Sequence, residues 1–348
     1  MIYLILQNPG HNRVYYNSAD KLALAEFKIA CHKLLCDCKD ISIIEIENVR
    51  YLSFVTDTAL SENDIVVISR LSFVFALYCK EIVDGKTLLL PIAKIKYEYL
   101  NPKISNILKY QGKTNELFTK MMLNVALLSS SFDYNQTITI LDPVAGRGTT
   151  LFESSVYGFN SFGIEKEQKS VHELRVFFKK YLEEERLKHT FSERKISGKD
   201  KSDFVNIDEF EFAKTKEEFK SVENRKKIGV VCGNSQDAFK YFKKEMFHLI
   251  VGDLPYGIFH GNKSGQSQKS ITRNPSEFLV ESLPEWYKVL KKGGVVVVAW
   301  NSFLSSAKKL SDIFATNGFD VLSGSAYSEF EHMVDKSVKR DILVAKKI

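Results

Sequence analysis

Two clusters in this chain combine residue types suited to chemistry. The first is Asp142-Pro143-Val144-Ala145-Gly146-Arg147-Gly148-Thr149, with Glu165 downstream of it. The second is Asp253-Leu254-Pro255-Tyr256. A loop with glycines at 146 and 148 lets the backbone approach a ligand closely. An acid such as Glu165 at the tip of a following strand can accept the two hydroxyls of a ribose. In the second cluster, Asp253 and the carbonyl of Leu254 can accept hydrogen bonds from an exocyclic amine. Pro255 stiffens the turn, having no N–H of its own. The ring of Tyr256 offers a face for a flipped-out base. One cluster thus suits a nucleoside-bearing ligand, and the other an amine to be modified.

The loop chemistry narrows the ligand. A phosphate-gripping loop needs Gly-Lys-Ser/Thr, and here Gly148 is followed by Thr149 with no lysine. A dinucleotide fold needs a third glycine, and an acid such as Asp142 at the end of the first strand repels a pyrophosphate. Asp142 instead suits a ligand with an amine and no phosphate. S-adenosylmethionine, with a sulfonium, an amino acid head and an adenosine, meets that description. Asp142, Ala145, Gly146, Gly148, Thr149, Glu165 and Asp253 are its candidate contacts. After a third strand come Asn234, a candidate for the adenine edge, and Asp237. Asp237 reads equally well as a first-turn acid of the next helix. Methyl transfer to an amine is an in-line displacement in which positioning supplies much of the catalysis.

Elements that would position these residues follow from periodicity. Residues 137–141, 161–164, 228–232, 247–251 and 295–300 read as strands, and 319–328 with 340–346 as closing strands. Helical stripes run over 114–128, 150–157, 167–187, 235–244, 275–290 and 303–316. The alternation predicts a Rossmann-like α/β domain of about seven strands with helices on both faces, over residues 104–348. In front of it, residues 2–6, 19–35, 41–46, 51–56, 61 onward and 72–83 read βαββαβ. That order is ferredoxin-like, and residues 1–85 are expected to form a small α+β accessory domain. Residues 86–103 read as an extended connector with two prolines. Residues 188–227 read as a charged insertion, a solvated excursion from the fold, with 11 basic and 9 acidic side chains.

The 348 residues carry a formal net charge of +6. The excess lies entirely beyond residue 100, since residues 1–100 hold 11 basic and 12 acidic side chains. A mild basic excess on the side of the glycine loop is compatible with a polyanionic partner. Five cysteines, at 31, 36, 38, 79 and 232, show no zinc spacing, so free thiols in a cytoplasmic setting and no metal are expected. No apolar run is long enough to span a bilayer, and no signal peptide pattern opens the chain.

The pair DPVAGRGT and DLPYG resembles the class I S-adenosylmethionine-dependent methyltransferases that modify exocyclic amines of bases. Within them the chain looks most like the THUMP-associated tRNA guanine-N2 methyltransferases. YQGKTNELFTKMML at 110–123 resembles the segment that packs over the cofactor in that family, which implies Phe118 as a cofactor contact. FEHMVDKSVKRDILVAKK at 330–347 is similar to its closing strands. Two departures stand out: Leu254-Pro255 replaces the family's frequent Pro-Pro, and about 100 residues leave no room for a full THUMP domain beside a ferredoxin-like one. The resemblance implies catalysis by Asp253, Pro255 and Tyr256 on RNA, first of all a guanine N2 in tRNA. An rRNA guanine, adenine N6 in DNA, and a catalytically silent RNA-binding protein remain the alternatives. The basic loop at 258–274 is expected either to contact the nucleic-acid backbone or to be merely solvated.

Overall fold

The computed structural model describes residues 1–8, 13–108, 113–197, 204–255 and 274–348, without the side chains of 13–17 and 197. The chain opens with β1 (Ile2–Gln7), α1 (Arg13–Cys31), β2 (Cys38–Ile46), β3 (Val49–Thr56), α2 (Glu62–Arg70), β4 (Val74–Val83) and β5 (Lys86–Ile92). The five strands form an antiparallel sheet in the order β2-β3-β1-β4-β5. Two-residue turns set its register. Glu47-Asn48 and Asp84-Gly85 all have positive φ, as the mirror-image turns of tight hairpins require. The helix start expected at Ser61 is a capping box. Ser61 Oγ accepts from the Asp64 N–H at 3.2 Å, and the Asp64 carboxylate accepts from the Ser61 N–H at 2.8 Å.

The expected connector at 86–103 is corrected in its first half. Lys86–Ile92 is a strand, paired with β4 from Val83↔Lys86 to Leu77↔Ile92. Pro91 is tolerated there because β5 is an edge strand.

After the short α3 (Ile104–Ile107) comes α4 (Glu116–Ser129), and then β6 (Thr139–Asp142), α5 (Thr149–Val156), β7 (Asn160–Glu165) and α6 (Gln168–Glu184). Next are β8 (Lys188–Ser197), β9 (Phe204–Ala213), α7 (Lys216–Lys220), β10 (Lys226–Cys232), α8 (Ala238–Tyr241) and β11 (Phe247–Asp253). The chain closes with α9 (Pro275–Val289), β12 (Leu290–Asn301), α10 (Ala307–Thr316), β13 (Phe319–Val321), β14 (His332–Met333) and β15 (Lys339–Lys347). These strands build one sheet in the order β13-β15-β12-β11-β6-β7-β10-β9-β8, with β14 paired to β15. The central five, β12-β11-β6-β7-β10, are parallel. Both faces are covered: α4 and α1 lie within one apolar cluster, and α8, α9 and α10 in another. Val295–Trp300 is fully buried between β11 and β15, which explains its unbroken apolar run.

The charged stretch at 188–227 is also corrected. It is not an excursion from the sheet. β9 pairs antiparallel with β10, and β8 pairs with β9. Net composition hid a two-residue alternation in β9, where Phe210 and Phe212 reach the core against Phe178 while Glu209 and Glu211 meet Lys227.

The two sheets meet through α1 and α4, around a buried polar node. Glu26 of α1 is wholly buried; its carboxylate accepts from the Ser72 N–H at 3.0 Å, from the Ser72 hydroxyl, and from Asn124 Nδ2 of α4 at 2.7 Å. Asn124 Nδ2 also donates to the Arg70 carbonyl at 2.9 Å, and Asn124 Oδ1 lies 2.7 Å from the Tyr157 hydroxyl and 3.1 Å from that of Tyr134. A wholly buried carboxyl is tolerable only with its partners in place. Asn124→Leu strips the node of its bridging amide while keeping its volume. Urea denaturation should show a loss of about 2–4 kcal/mol. A loss below about 1 kcal/mol would show that the node does not fasten the two sheets.

Candidate active site

The parallel strands carry the chemistry-bearing residues to one edge. β6 ends on Asp142, β7 on Glu165, β10 on Cys232 just before Asn234, and β11 on Asp253. In an open α/β sheet this carboxyl edge is where ligands bind. The registers Asp142↔Gly163 and Cys232↔Glu165 bring the ends level.

The loop after β6 is held to β7 by Glu165. One carboxylate oxygen accepts from the Gly146 N–H at 2.8 Å, and the other from the Glu167 N–H at 2.7 Å. The loop is anchored again by the Ala145 N–H donating to the Ile164 carbonyl at 2.9 Å. Gly146 has φ +51°, and a Cβ there would meet nothing within 4 Å, so this side of the loop is open for a ligand. Gly148, at φ +88°, caps α5 under Leu174, whose Cδ1 would lie 2.7 Å from an added Cβ. Ala145 and Thr149 are buried.

Asp142 is buried, with Oδ1 accepting from the Val144 N–H at 3.0 Å. Desolvation pushes its carboxyl up to about 7, against hydrogen bonds from Thr150 and Val144 that favour the charge, and with Glu165 and Asp253 adding like-charge repulsion. Burial raises Glu165 as well, against backbone N–H donors. The edge is therefore an acidic wall whose negative charge grows as pH rises through about 7.

Asp253 is the third carboxylate. Its Oδ2 accepts from the Thr114 hydroxyl at 2.6 Å and lies 3.4 Å from Arg340 Nη2. The Arg340 guanidinium rests 4.6 Å from the centre of the Phe118 ring, whose other close partner is His332 at 5.3 Å. Phe118 is wholly buried, as a platform beneath the Arg340–Asp253 pair. Asn115 caps α4, accepting from the Phe118 N–H at 3.1 Å, and so fixes Thr114 just ahead of the helix. The Leu254 N–H donates to the Ala299 carbonyl at 2.8 Å, pinning the turn to β12, and Pro255 is exposed beyond it. Asn234 is exposed, its N–H donating to the Tyr241 hydroxyl at 3.2 Å. Asp237 pairs with Lys240. Tyr256, the loop to 273 and residues 110–112 lie outside the described residues.

Sequence reasoning missed Thr114, Arg340 and His332. Arg340 carried a faint signal, as a charge at the head of the apolar run Ile342–Ala345. Among the described residues no His, Cys, Asp and Glu group is arranged to hold a metal ion, and no helix is long and apolar enough to cross a membrane.

Comparison with known proteins adds to this geometry. A family described as an RMKL-like methyltransferase domain matches residues 119–287. That span holds the glycine loop, Glu165 and the Asp253 turn. No curated protein sequence matches the chain. Among solved structures, it is similar to TehB from Haemophilus influenzae, with 13% identity, 60% of this chain and 57% of that chain covered, and a TM-score of 0.34. A TehB-like S-adenosylmethionine-dependent methyltransferase from Corynebacterium glutamicum shows 12% identity, 61% and 82% coverage and a TM-score of 0.34. An rRNA methylase from Streptococcus thermophilus shows 8% identity, 69% and 99% coverage and a TM-score of 0.35. The chain spans little more than half the length of the Haemophilus protein. Likenesses at this level carry no argument about substrate. The family match does carry one about chemistry: residues 119–287, which hold the glycine loop within the mixed α/β sheet, match a methyltransferase domain, and the cofactor is S-adenosylmethionine.

Proposed function

We propose that the protein methylates an exocyclic amine of a nucleobase in RNA, with guanine N2 in tRNA as the first candidate. The observation that carries the reading is the alignment of two kits on one sheet edge. Asp142, the 146–148 loop and Glu165 form a cation- and ribose-binding half, and Asp253 and Leu254 stand beside them as an amine-binding half. The order of the motifs along the chain and the basic excess beyond residue 100 support it.

The residues fit the cofactor. The open side of Gly146 leaves room for close approach, and Glu165 would exchange its backbone donors for ribose hydroxyls. Asn234 is free of the core and able to meet the adenine edge. Bound there, S-adenosylmethionine supplies an electrophilic methyl group on a sulfonium. Asp253 and the Leu254 carbonyl accept the amine's N–H bonds, which points the nitrogen lone pair at the methyl carbon. Thr114 and Arg340 hold one oxygen of the Asp253 carboxylate, so the acceptor is oriented before the base arrives. As the nitrogen gains a methyl group it must lose a proton, and Asp253 lies next to that proton. Pro255 and Tyr256 follow as the turn and stacking residues of the same kit.

The Asp142 carboxyl gives this reading a pH signature. A cation binds the ionised form better, and that form grows as pH rises through about 7. Affinity for S-adenosylmethionine, followed by calorimetry, should climb by up to about tenfold per pH unit below 7 and level off above it. Asp142→Asn should bind weakly with little pH dependence. A flat profile in the unaltered protein would count against Asp142 as the cation partner.

Asp253→Ala should reduce methyl transfer to RNA by at least about 1,000-fold with cofactor affinity within about threefold of normal. Near-normal turnover would remove Asp253 from the mechanism. Nucleoside mass spectrometry of RNA and duplex DNA incubated with the protein identifies the base. N2-methylguanosine is the expected product, N6-methyladenine in DNA alone would replace this reading with the DNA one, and no product on either polymer would sink both.

A further inference from the structure

A second surface lies on the opposite edge of the sheet. Thr137, Gly158 and Phe159, which immediately precede β6 and β7, line a cleft of about 490 Å³ together with Lys96, Lys214 and Lys226. The strands separate it from the Asp142–Asp253 edge by roughly 20 Å, at about 3.3 Å per residue. Residues 96–99, on the stretch running from β5 towards α3, form its wall. On the other side of that strap lies a further depression of about 450 Å³, which holds Lys94 and Lys120 and shares Lys96, Tyr97 and Glu98 with the first.

The cations here are numerous and unspent. None of Lys94, Lys96, Lys120, Lys214 and Lys226 has an ion pair among the described residues. Aromatic rings steady three of them, and Lys94 Nζ donates to the Val74 carbonyl at 3.2 Å. Lys214 and Lys226 lie 4.7 and 5.5 Å from the Tyr99 ring centre, and Arg70 and Lys120 lie 5.0 and 5.4 Å from that of Tyr97. A ring fixes an ammonium group without neutralising it. Desolvation lowers Lys94 and Lys226, outweighing the attraction of Glu98 and Glu218 respectively.

The nearby acids are otherwise engaged. Glu98 accepts from the Tyr97 N–H at 3.2 Å, and Glu218 from the Tyr99 hydroxyl at 3.1 Å and the Lys214 N–H at 3.0 Å. Glu116 pairs with Lys113, and burial pushes the Glu153 carboxyl up to about 7. The result is an elongated cationic surface with tyrosines between its lysines. A compact anion would fill one depression; a polymer with repeated charge can run across both.

We infer that this cleft is a second contact for the RNA substrate, gripping its backbone through Lys96, Lys214 and Lys226 while the reacting base sits at the far edge. The inference rests on the reading of RNA as the substrate. It adds a size requirement, because only an RNA that folds around the domain reaches both edges. Short single strands occupy one edge at a time.

The test compares the unaltered protein with the Lys96→Gln/Lys214→Gln/Lys226→Gln variant, and with the matching lysine-to-arginine variant. Binding of total tRNA is measured across a salt series, alongside methyl transfer to tRNA and to a single strand of ~10 nucleotides. The glutamine variant should bind tRNA at least about tenfold more weakly, with a log–log salt slope shallower by roughly 2–3. Its activity on the short strand and its affinity for S-adenosylmethionine should be unchanged, and the arginine variant should behave like the unaltered protein. Unchanged tRNA affinity and slope in the glutamine variant, with the unaltered protein methylating tRNA, would overturn the cleft assignment and leave the functional reading standing. An unaltered protein that neither binds nor methylates RNA would overturn both.

Discussion

Three carboxylates at one sheet edge repel one another, and much of this domain can be understood as the means of keeping Asp142, Glu165 and Asp253 together. Each is relieved differently. Asp142 is buried so that its proton is held up to about 7. Glu165 spreads its charge onto backbone N–H groups of the loop it anchors. Asp253 has an internal cation in Arg340, itself seated on Phe118. The three surroundings differ accordingly: one group is buried, one anchors a loop, and one faces an internal cation. The arrangement has a cost in the free chain. Between its ordinary value of 3.8 and about 7, Asp142 keeps its proton in the folded state and loses it in the unfolded state. Its contribution to stability therefore falls as pH rises through that window, and a bound cation offsets the loss.

The second constraint is mechanical. α4 touches both the amino-terminal sheet, through the Glu26–Asn124 node, and the end of β11, through Thr114 just ahead of it and Phe118 beneath the Arg340–Asp253 pair. One helix thus links the position of the amino-terminal strands to that of Asp253. The apolar cluster that includes Phe27 and Phe54 continues through Met121 and Val125 to Leu249 and Val297, around that polar node. The strap at 96–99 lies over this same junction, which is why lysines from distant stretches meet there.

Much of this was legible in the sequence because it is local. The glycine loop, Glu165 and Asp253-Leu254-Pro255 are short motifs at strand ends, and a strand followed by a motif needs no knowledge of tertiary structure. The central parallel strands announced themselves by unbroken apolar runs. What stayed hidden was either averaged away or assembled at long range. Counting charges over 188–227 concealed the alternation of Phe210 and Phe212 with Glu209 and Glu211. Asp84-Gly85 was a hairpin signal, but Pro91 argued against a strand and only its edge position reconciles the two. Thr114, Arg340 and the lysines of the cleft come from segments far apart in sequence, and no spacing rule connects them.

The hairpin of β8 and β9 also bears on how the sheet is assembled. β10 must find β7 in parallel register, Ile228 against Ser161, a pairing that closes a long loop of chain. Its other neighbour is close in sequence: Phe212 of β9 pairs with Lys226 of β10 across one short helix and a turn. Local antiparallel pairs form before distant parallel ones, because less chain must be ordered to bring them together. The stretch at 188–227 therefore gives β10 a partner close in sequence on one side, while its other side must find β7 across more than sixty residues.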